Sequence, residues 1–252
     1  MKKNINKIDL TQEEIKRYSK QILIKNIGGS GQVKLKSAKI LIVGLGGLGA
    51  PVITHLVTAG IGEVGLVDHD TVELSNLQRQ YIHTTERVGL LKTHSAKEYI
   101  TQLNPNIKIS LYSIKASIDN ISEIIPNYDL VIDCTDNFET RFIIADQCQV
   151  NLKPYILGMV RGYEGQLTTI LPRLSKNRES YPGIRSLYDE SDLDDYEFSC
   201  SDEGVLSVTT GLIGTIMATE AIKNILDIGE ILVGKLLLVD LLNIKFELIE
   251  YT

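Results

Sequence analysis

The feature that most constrains this chain is a short apolar run that ends in glycines. Lys39–Val43 (KILIV) reads straight into Gly44-Leu45-Gly46-Gly47-Leu48-Gly49, and a helical pattern follows from Gly46 to Gly60. An apolar run without alternation is buried on both faces, as in a parallel sheet covered by helices. Gly44, Gly46 and Gly49 form the spacing G-x-G-x-x-G at the strand-to-helix turn, with Gly47 inside the same loop. Glycine there lets backbone approach a phosphate, and the helix that follows offers unpaired N–H groups and a positive dipole end. The same turn also exists without a ligand, and alone it suits NAD as well as ATP.

The rest of the chain repeats the strand–helix alternation. Strands are expected at Glu63–Val67, Lys108–Ile114, Asp129–Ile132, Tyr155–Met159 and Gly165–Leu171, and helices at Val88–Leu103, Asn120–Ile125, Phe138–Val150 and Val205–Leu226. In the last helix Gly211, Gly214 and Ala218 are small enough for close packing. Two final strands, Lys235–Asp240 and Lys245–Tyr251, read as a hairpin. The fold class is therefore α/β: a Rossmann-like doubly wound sheet, mostly parallel, with antiparallel strands at the C-terminal end. Ahead of it, Leu10 to Ile27 reads as a helix opened by a Thr11/Glu14 capping box, and Gly28-Gly29-Ser30-Gly31 reads as a break, so residues 10–31 form a helical arm. Residues 172–203 keep no periodicity and carry Asp192, Asp194, Asp195, Glu197 and Asp202, the pattern of a mobile acidic loop. Residues 1–252 are read as one domain.

Composition excludes several classes. Three cysteines in 252 residues rule out a disulfide scaffold and point to a reducing, cytoplasmic setting. No apolar run approaches the ~18 residues of a membrane helix, and the polar start has no signal-peptide core, so no membrane partner is expected. A net charge of -6 argues against a general nucleic-acid binder.

The segments after the glycine loop narrow the ligand. Asp68 ends the next strand, where a carboxylate can accept hydrogen bonds from ribose hydroxyls. Asn76, Arg79 and Gln80 follow it, Lys92 opens a helix, and Asp136 closes another parallel strand. Carboxyl ends of neighbouring strands share one crevice in a doubly wound sheet, so Asp68, Arg79, Lys92 and Asp136 converge on one nucleotide. Two cations suit a triphosphate and the extra carboxylate suits Mg²⁺. A hydride-transfer site needs neither, and no Tyr-x-x-x-Lys occurs. His55, His69, His83 and His94 read as helix-surface or loop residues, so none is a candidate base.

ILIVGLGGLGAPV, LVDHDTVELSNLQRQYIH, DLVIDCTDNFETR, GYEGQLT and CSDEGVLSVTTGLIGTIMATEAIK together resemble the ThiF/MoeB/HesA family, the bacterial relatives of ubiquitin-activating enzymes. The resemblance runs from about Arg17 to the C-terminus. It implies ATP- and Mg²⁺-dependent adenylation of the C-terminal glycine carboxylate of a ubiquitin-like sulfur carrier (ThiS- or MoaD-like) ending in Gly-Gly, with a sulfurtransferase as a possible further partner. By position, Asp68 binds the ribose, Asn76, Arg79 and Lys92 handle the phosphates, and Asp136 holds Mg²⁺, with Gly44, Gly46, Gly47 and Gly49 forming the nucleotide-binding loop. Such a reaction needs no general base, because an ionised carboxylate is already the nucleophile.

The resemblance also marks departures. An N-terminal arginine of the family reaches the active site of a second subunit, which implies a homodimer; here Arg17-Tyr18-Ser19-Lys20-Gln21 puts Lys20 at that position, with Arg17 close by. Many members bind zinc through two Cys-x-x-Cys pairs. Cys134, Cys148 and Cys200 are too few and too separated for that, so zinc is not expected. Cys200 matches the family's candidate for thiol chemistry with the activated carrier, while Cys134 and Cys148 read as packing residues. Three other readings stay open: adenylation of a ribosomal peptide's C-terminus, an NAD(P)-dependent oxidoreductase, and an inactive scaffold of the same fold.

Overall fold

The computed structural model describes residues 9–172, 183–188 and 204–251. Eight strands form one sheet in the order β3-β2-β1-β4-β5-β6-β7-β8: β1 Lys39–Val43, β2 Glu63–Val67, β3 Lys108–Tyr112, β4 Leu130–Asp133, β5 Tyr155–Arg161, β6 Glu164–Ile170, β7 Lys235–Asp240 and β8 Lys245–Glu250. The first five pair in parallel and the last three antiparallel, as the sequence pattern anticipates. Strand order reverses between β1 and its neighbours β2 and β4, which opens a crevice at their carboxyl ends.

Helices cover both faces. One apolar layer joins the sheet to α3 (Gly28–Ser37), α4 (Gly49–Ala59), α5 (Lys92–Leu103) and α8 (Ser207–Leu226). The other joins it to α6 (Ile118–Ile124) and α7 (Phe138–Val150). Ile40 and Ile42 belong to the first layer and Leu41 and Val43 to the second, which is why β1 could not alternate polar and apolar residues. Helix α8 lies against α4 at Gly214, where a Cβ would stand 2.7 Å from the Leu48 carbonyl oxygen. Gly211 faces open space instead and takes no part in that contact.

One expectation needs correction. The cluster beginning at Gly28 does not break the chain; it starts α3 after α1 (Gln12–Arg17) and α2 (Ser19–Ile22). Gly28 takes the turn at φ +59°, and the helix that follows buries Gly31, Gln32 and Leu35, so packing outweighs the poor helix propensity of glycine. The arm is locked down as well: the Tyr18 hydroxyl accepts from Asn104 Nδ2 at 2.9 Å and Gln21 Nε2 donates to the Ala59 carbonyl at 2.9 Å. Within the acidic segment, residues 183–188 dock on α7. Ile184 and Tyr188 are buried there, and Arg185 bonds Asp146 at 2.7 Å. The other expectations for 172–203 lie outside the described residues.

Candidate active site

The glycine loop sits at the crevice because it cannot be built from larger residues. Gly44 has φ +90°, and a Cβ there would stand 2.7 Å from the Cys134 carbonyl oxygen. A Cβ on Gly49 would collide with the Gly44 carbonyl. The N–H groups of Gly46, Gly47 and Leu48 have no acceptor among the described residues, and Gly44, Gly46, Gly47 and Leu48 line the cleft. They form a ready anion cradle at the start of α4.

Asp68 lies at the end of β2, almost fully buried. Its Oδ2 accepts from the Leu45 N–H at 2.8 Å and its Oδ1 from the Asp70 N–H at 2.9 Å, so it also ties the glycine loop to β2. Burial pushes its carboxyl above the ordinary value, against the pull of the Lys92 charge and the two N–H donors. Lys92, buried at the start of α5, pairs with Asp70 at 2.7 Å. Partial burial raises the Asp70 carboxyl, but the Lys92 hydrogen bond and charge outweigh it and hold Asp70 below the usual carboxylate range. Arg79 reaches the same cleft with Nη1 on the Ser75 carbonyl at 3.2 Å.

Across the loop, β4 delivers a second set of groups. The buried Asp133 accepts from the Thr135 N–H and hydroxyl at 2.8 and 2.7 Å and from the Tyr155 hydroxyl at 2.6 Å, which shapes the turn into α7. That turn carries Asp136 into the cleft as an exposed carboxylate; its nearest protein donor is Asn137 Nδ2 at 3.4 Å. The chemistry of this donor set fits Mg²⁺, which takes one or two carboxylates together with phosphate oxygens.

The structure thus brings Gly44, Gly46, Gly47, Asp68, Arg79, Lys92 and Asp136 to one cleft. Gly49 lies directly behind it in α4. Asn76 does not line the cleft; its buried carboxamide accepts from the Glu73 N–H and caps a short turn. Arg17 and Lys20 do not line it either. Arg17 donates to the Leu103 carbonyl at 3.2 Å, and Lys20 is exposed on α2. Cys200 lies outside the described residues. Cys134 and Cys148 are buried, and burial, with the Asp133 charge, pushes both thiols up.

One histidine differs from its expected surface place. His83 is buried beneath the glycine loop, with Nδ1 2.8 Å from the Ser95 hydroxyl and Nε2 3.1 Å from the Leu45 carbonyl. Burial lowers its pKa to about 4, against the hydrogen bond to Leu45. Asp70, His83 and the buried Arg141 are the site-forming residues that sequence reasoning passed over. The spacing of Asp70 from Asp68 was the available signal for the first.

The ThiF family profile matches residues 18–251. The chain belongs to the ThiF family. Among relatives of this ThiF-family chain, the adenylyltransferase and sulfurtransferase MOCS3 of Culex quinquefasciatus is 43% identical over 231 residues, covering 92% of this chain and 51% of that protein. The probable adenylyltransferase/sulfurtransferase MoeZ of Mycobacterium tuberculosis is 39% identical over 242 residues, covering 95% of this chain and 61% of that protein. The chain therefore spans about half to three-fifths of the length of these curated relatives. Solved structures share the fold: PaaA at TM-score 0.82 and 23% identity, covering 100% of this chain and 78% of that one, and E. coli MccB with MccA-N7isoASN at TM-score 0.80 and 24% identity, covering 93% and 72%. No helix among the described residues is long and apolar enough to cross a membrane.

Proposed function

We propose that this ThiF-family chain binds ATP in the β1–β2–β4 cleft and adenylates the C-terminal glycine carboxylate of a ubiquitin-like sulfur carrier ending in Gly-Gly. The observation that carries the reading is the pairing, in one cleft, of a glycine-loop N–H cradle and cations with the exposed carboxylate of Asp136. A nicotinamide site has no use for that combination, and an inactive scaffold has no reason to keep it.

The chemistry is a substitution at the α-phosphorus. A carboxylate oxygen of the carrier bonds to it, the bond to the β-phosphoryl oxygen breaks, and pyrophosphate leaves, giving an acyl adenylate without a proton transfer. The barrier is mainly charge repulsion and alignment, so cations at the phosphates lower it. Asp136 is the residue that would hold Mg²⁺, which when bound would supply further charge neutralisation. Asp68 fixes the glycine loop and offers carboxylate oxygens to the ribose. The loop N–H groups receive phosphate oxygens, and Arg79 and Lys92 meet the phosphates, with Lys92 released from Asp70 as it does so.

The sulfur-carrier substrate is supported by the 39–43% identity to proteins named adenylyltransferase and sulfurtransferase. Peptide adenylation draws only on structures of 23–24% identity, which speak to the fold. Arg17 and Lys20 lie outside the lining of their own cleft, which fits action on a second copy in a homodimer. Cys200 remains the candidate thiol for a later step with the carrier. Screening ATP/pyrophosphate exchange against carriers ending in Gly-Gly tests the proposal. Carrier-dependent exchange is the expected result; tight NADH binding with no exchange overturns it.

A further inference from the structure

Arg141 is the least explained charge in the molecule. It sits in the second turn of α7, 6% exposed, and lines the cleft. Its Nη2 donates to the Thr135 carbonyl at 2.6 Å, and its guanidinium carbon lies 5.0 Å above the Phe138 ring. No carboxylate among the described residues forms an ion pair with it, and its buried Nε has no hydrogen-bond partner. Asp133, the buried carboxylate at the end of β4, gives its oxygens to Thr135 and Tyr155.

A buried guanidinium without a counter-charge is costly, since desolvation is not repaid by attraction. The contrast with Lys92, equally buried but paired with Asp70, is direct. Its two anchors hold Arg141 in place without neutralising it. Such a group is preset for an anion that arrives from outside, and a guanidinium fork matches the oxygens of a phosphate.

Its place on the sheet says which anion. Asp68 at β2 offers the nucleoside end and the glycine loop follows β1, so a nucleotide running across the switch point brings its far end to the turn after β4. We propose that Arg141 holds the pyrophosphate portion of ATP, the β- and γ-phosphoryl groups that depart when the α-phosphorus is attacked. The proposal deepens the adenylation reading and rests on it. It leaves Arg79, Lys92 and the loop N–H groups with the remaining phosphate contacts.

Calorimetric titration of the whole chain with ATP, AMP and inorganic pyrophosphate tests it in wild type, Arg141→Gln and Arg141→Lys, with each variant's melting temperature measured alongside. In Arg141→Gln, affinity for ATP and for pyrophosphate is expected to fall about tenfold or more, with AMP affinity changed less than about twofold. Arg141→Lys, which keeps the charge and loses the fork, should fall in between, and it carries the test if the glutamine variant does not fold. Unchanged ATP and pyrophosphate affinity overturns the assignment, as does an equal loss for ATP and AMP, which is the mark of a merely structural residue. Unchanged nucleotide binding with a raised KM for the carrier also overturns it, placing Arg141 at the acceptor carboxylate. A wild-type chain that binds neither ATP nor pyrophosphate overturns the adenylation reading itself.

Discussion

The two walls of the cleft are built on opposite electrostatic plans. On the β2 wall, the most buried ionisable groups are answered from within: Asp68 by the N–H groups of Leu45 and Asp70, Lys92 by Asp70, and His83 by Ser95 and the Leu45 carbonyl, while Gln80 keeps a buried Oε1 without a partner. On the β4 wall, Asp136 is exposed with one long contact and Arg141 is buried with no ion-pair partner among the described residues. The first wall is a frame that holds the glycine loop in position before anything binds. The second holds charges that only a ligand can answer. Substitutions on the β4 wall should therefore disturb turnover first, and those on the β2 wall stability first.

The largest expected effect is on the β4 wall. Asp136→Ala should reduce ATP/pyrophosphate exchange by about a thousandfold, in keeping with loss of metal-assisted charge stabilisation. Because Asp136 is exposed, thermal unfolding should change by no more than about 0.5 kcal/mol in stability. Exchange that survives the substitution would remove Asp136 from the metal site and erase the contrast between the walls.

His83 gives the next largest effect, visible in the pH dependence of stability. Its folded pKa of about 4 lies below the ordinary 6.5, so the unfolded chain takes up the proton first as pH falls. Its contribution is fully present above pH 6.5 and is lost as pH falls through 4, about 3 kcal/mol in all. Urea unfolding at pH 7 and pH 4 should show that decline in wild type and a smaller one in His83→Gln. Equal declines would mean that the buried neutral imidazole is not its source.

The smallest effect concerns Asp70. Asp70→Asn leaves the buried Lys92 ammonium without its carboxylate, and since Asp70 is itself half exposed the cost should be about 1–2 kcal/mol. Chemical denaturation measures it. Part of the loss should return in saturating ATP, because phosphate replaces the missing carboxylate; no recovery would argue that Lys92 does not meet the phosphates.

Much of this architecture was readable along the chain because periodicity records burial. The continuous apolar runs of β1 and β4 announced strands covered on both faces, and the spacing of Gly44, Gly46 and Gly49 announced the turn at their ends. The placement of Asp68, Arg79, Lys92 and Asp136 at one crevice followed from strand order. Gly28 misled, since low helix propensity was overruled by the packing of Gly31 and Leu35, a contact that local pattern does not encode. Asn76 shows a further contact that local pattern does not give: its neighbours in sequence line the cleft, while its own carboxamide oxygen caps its local turn.

What the sequence determined by itself was the order of strands and helices, the glycine turn and the set of charges brought to it, because these depend on residues close together in the chain. Which charges neutralise one another is settled by contacts between distant parts of the chain. Asp70 and Lys92 meet across a turn and the start of a helix, His83 slides under Leu45, and Arg141 is buried with no ion-pair partner among the described residues. The energy of a buried charge depends on its neighbours in space, and that is why the side of the cleft waiting for a ligand could be recognised only once the chain was folded.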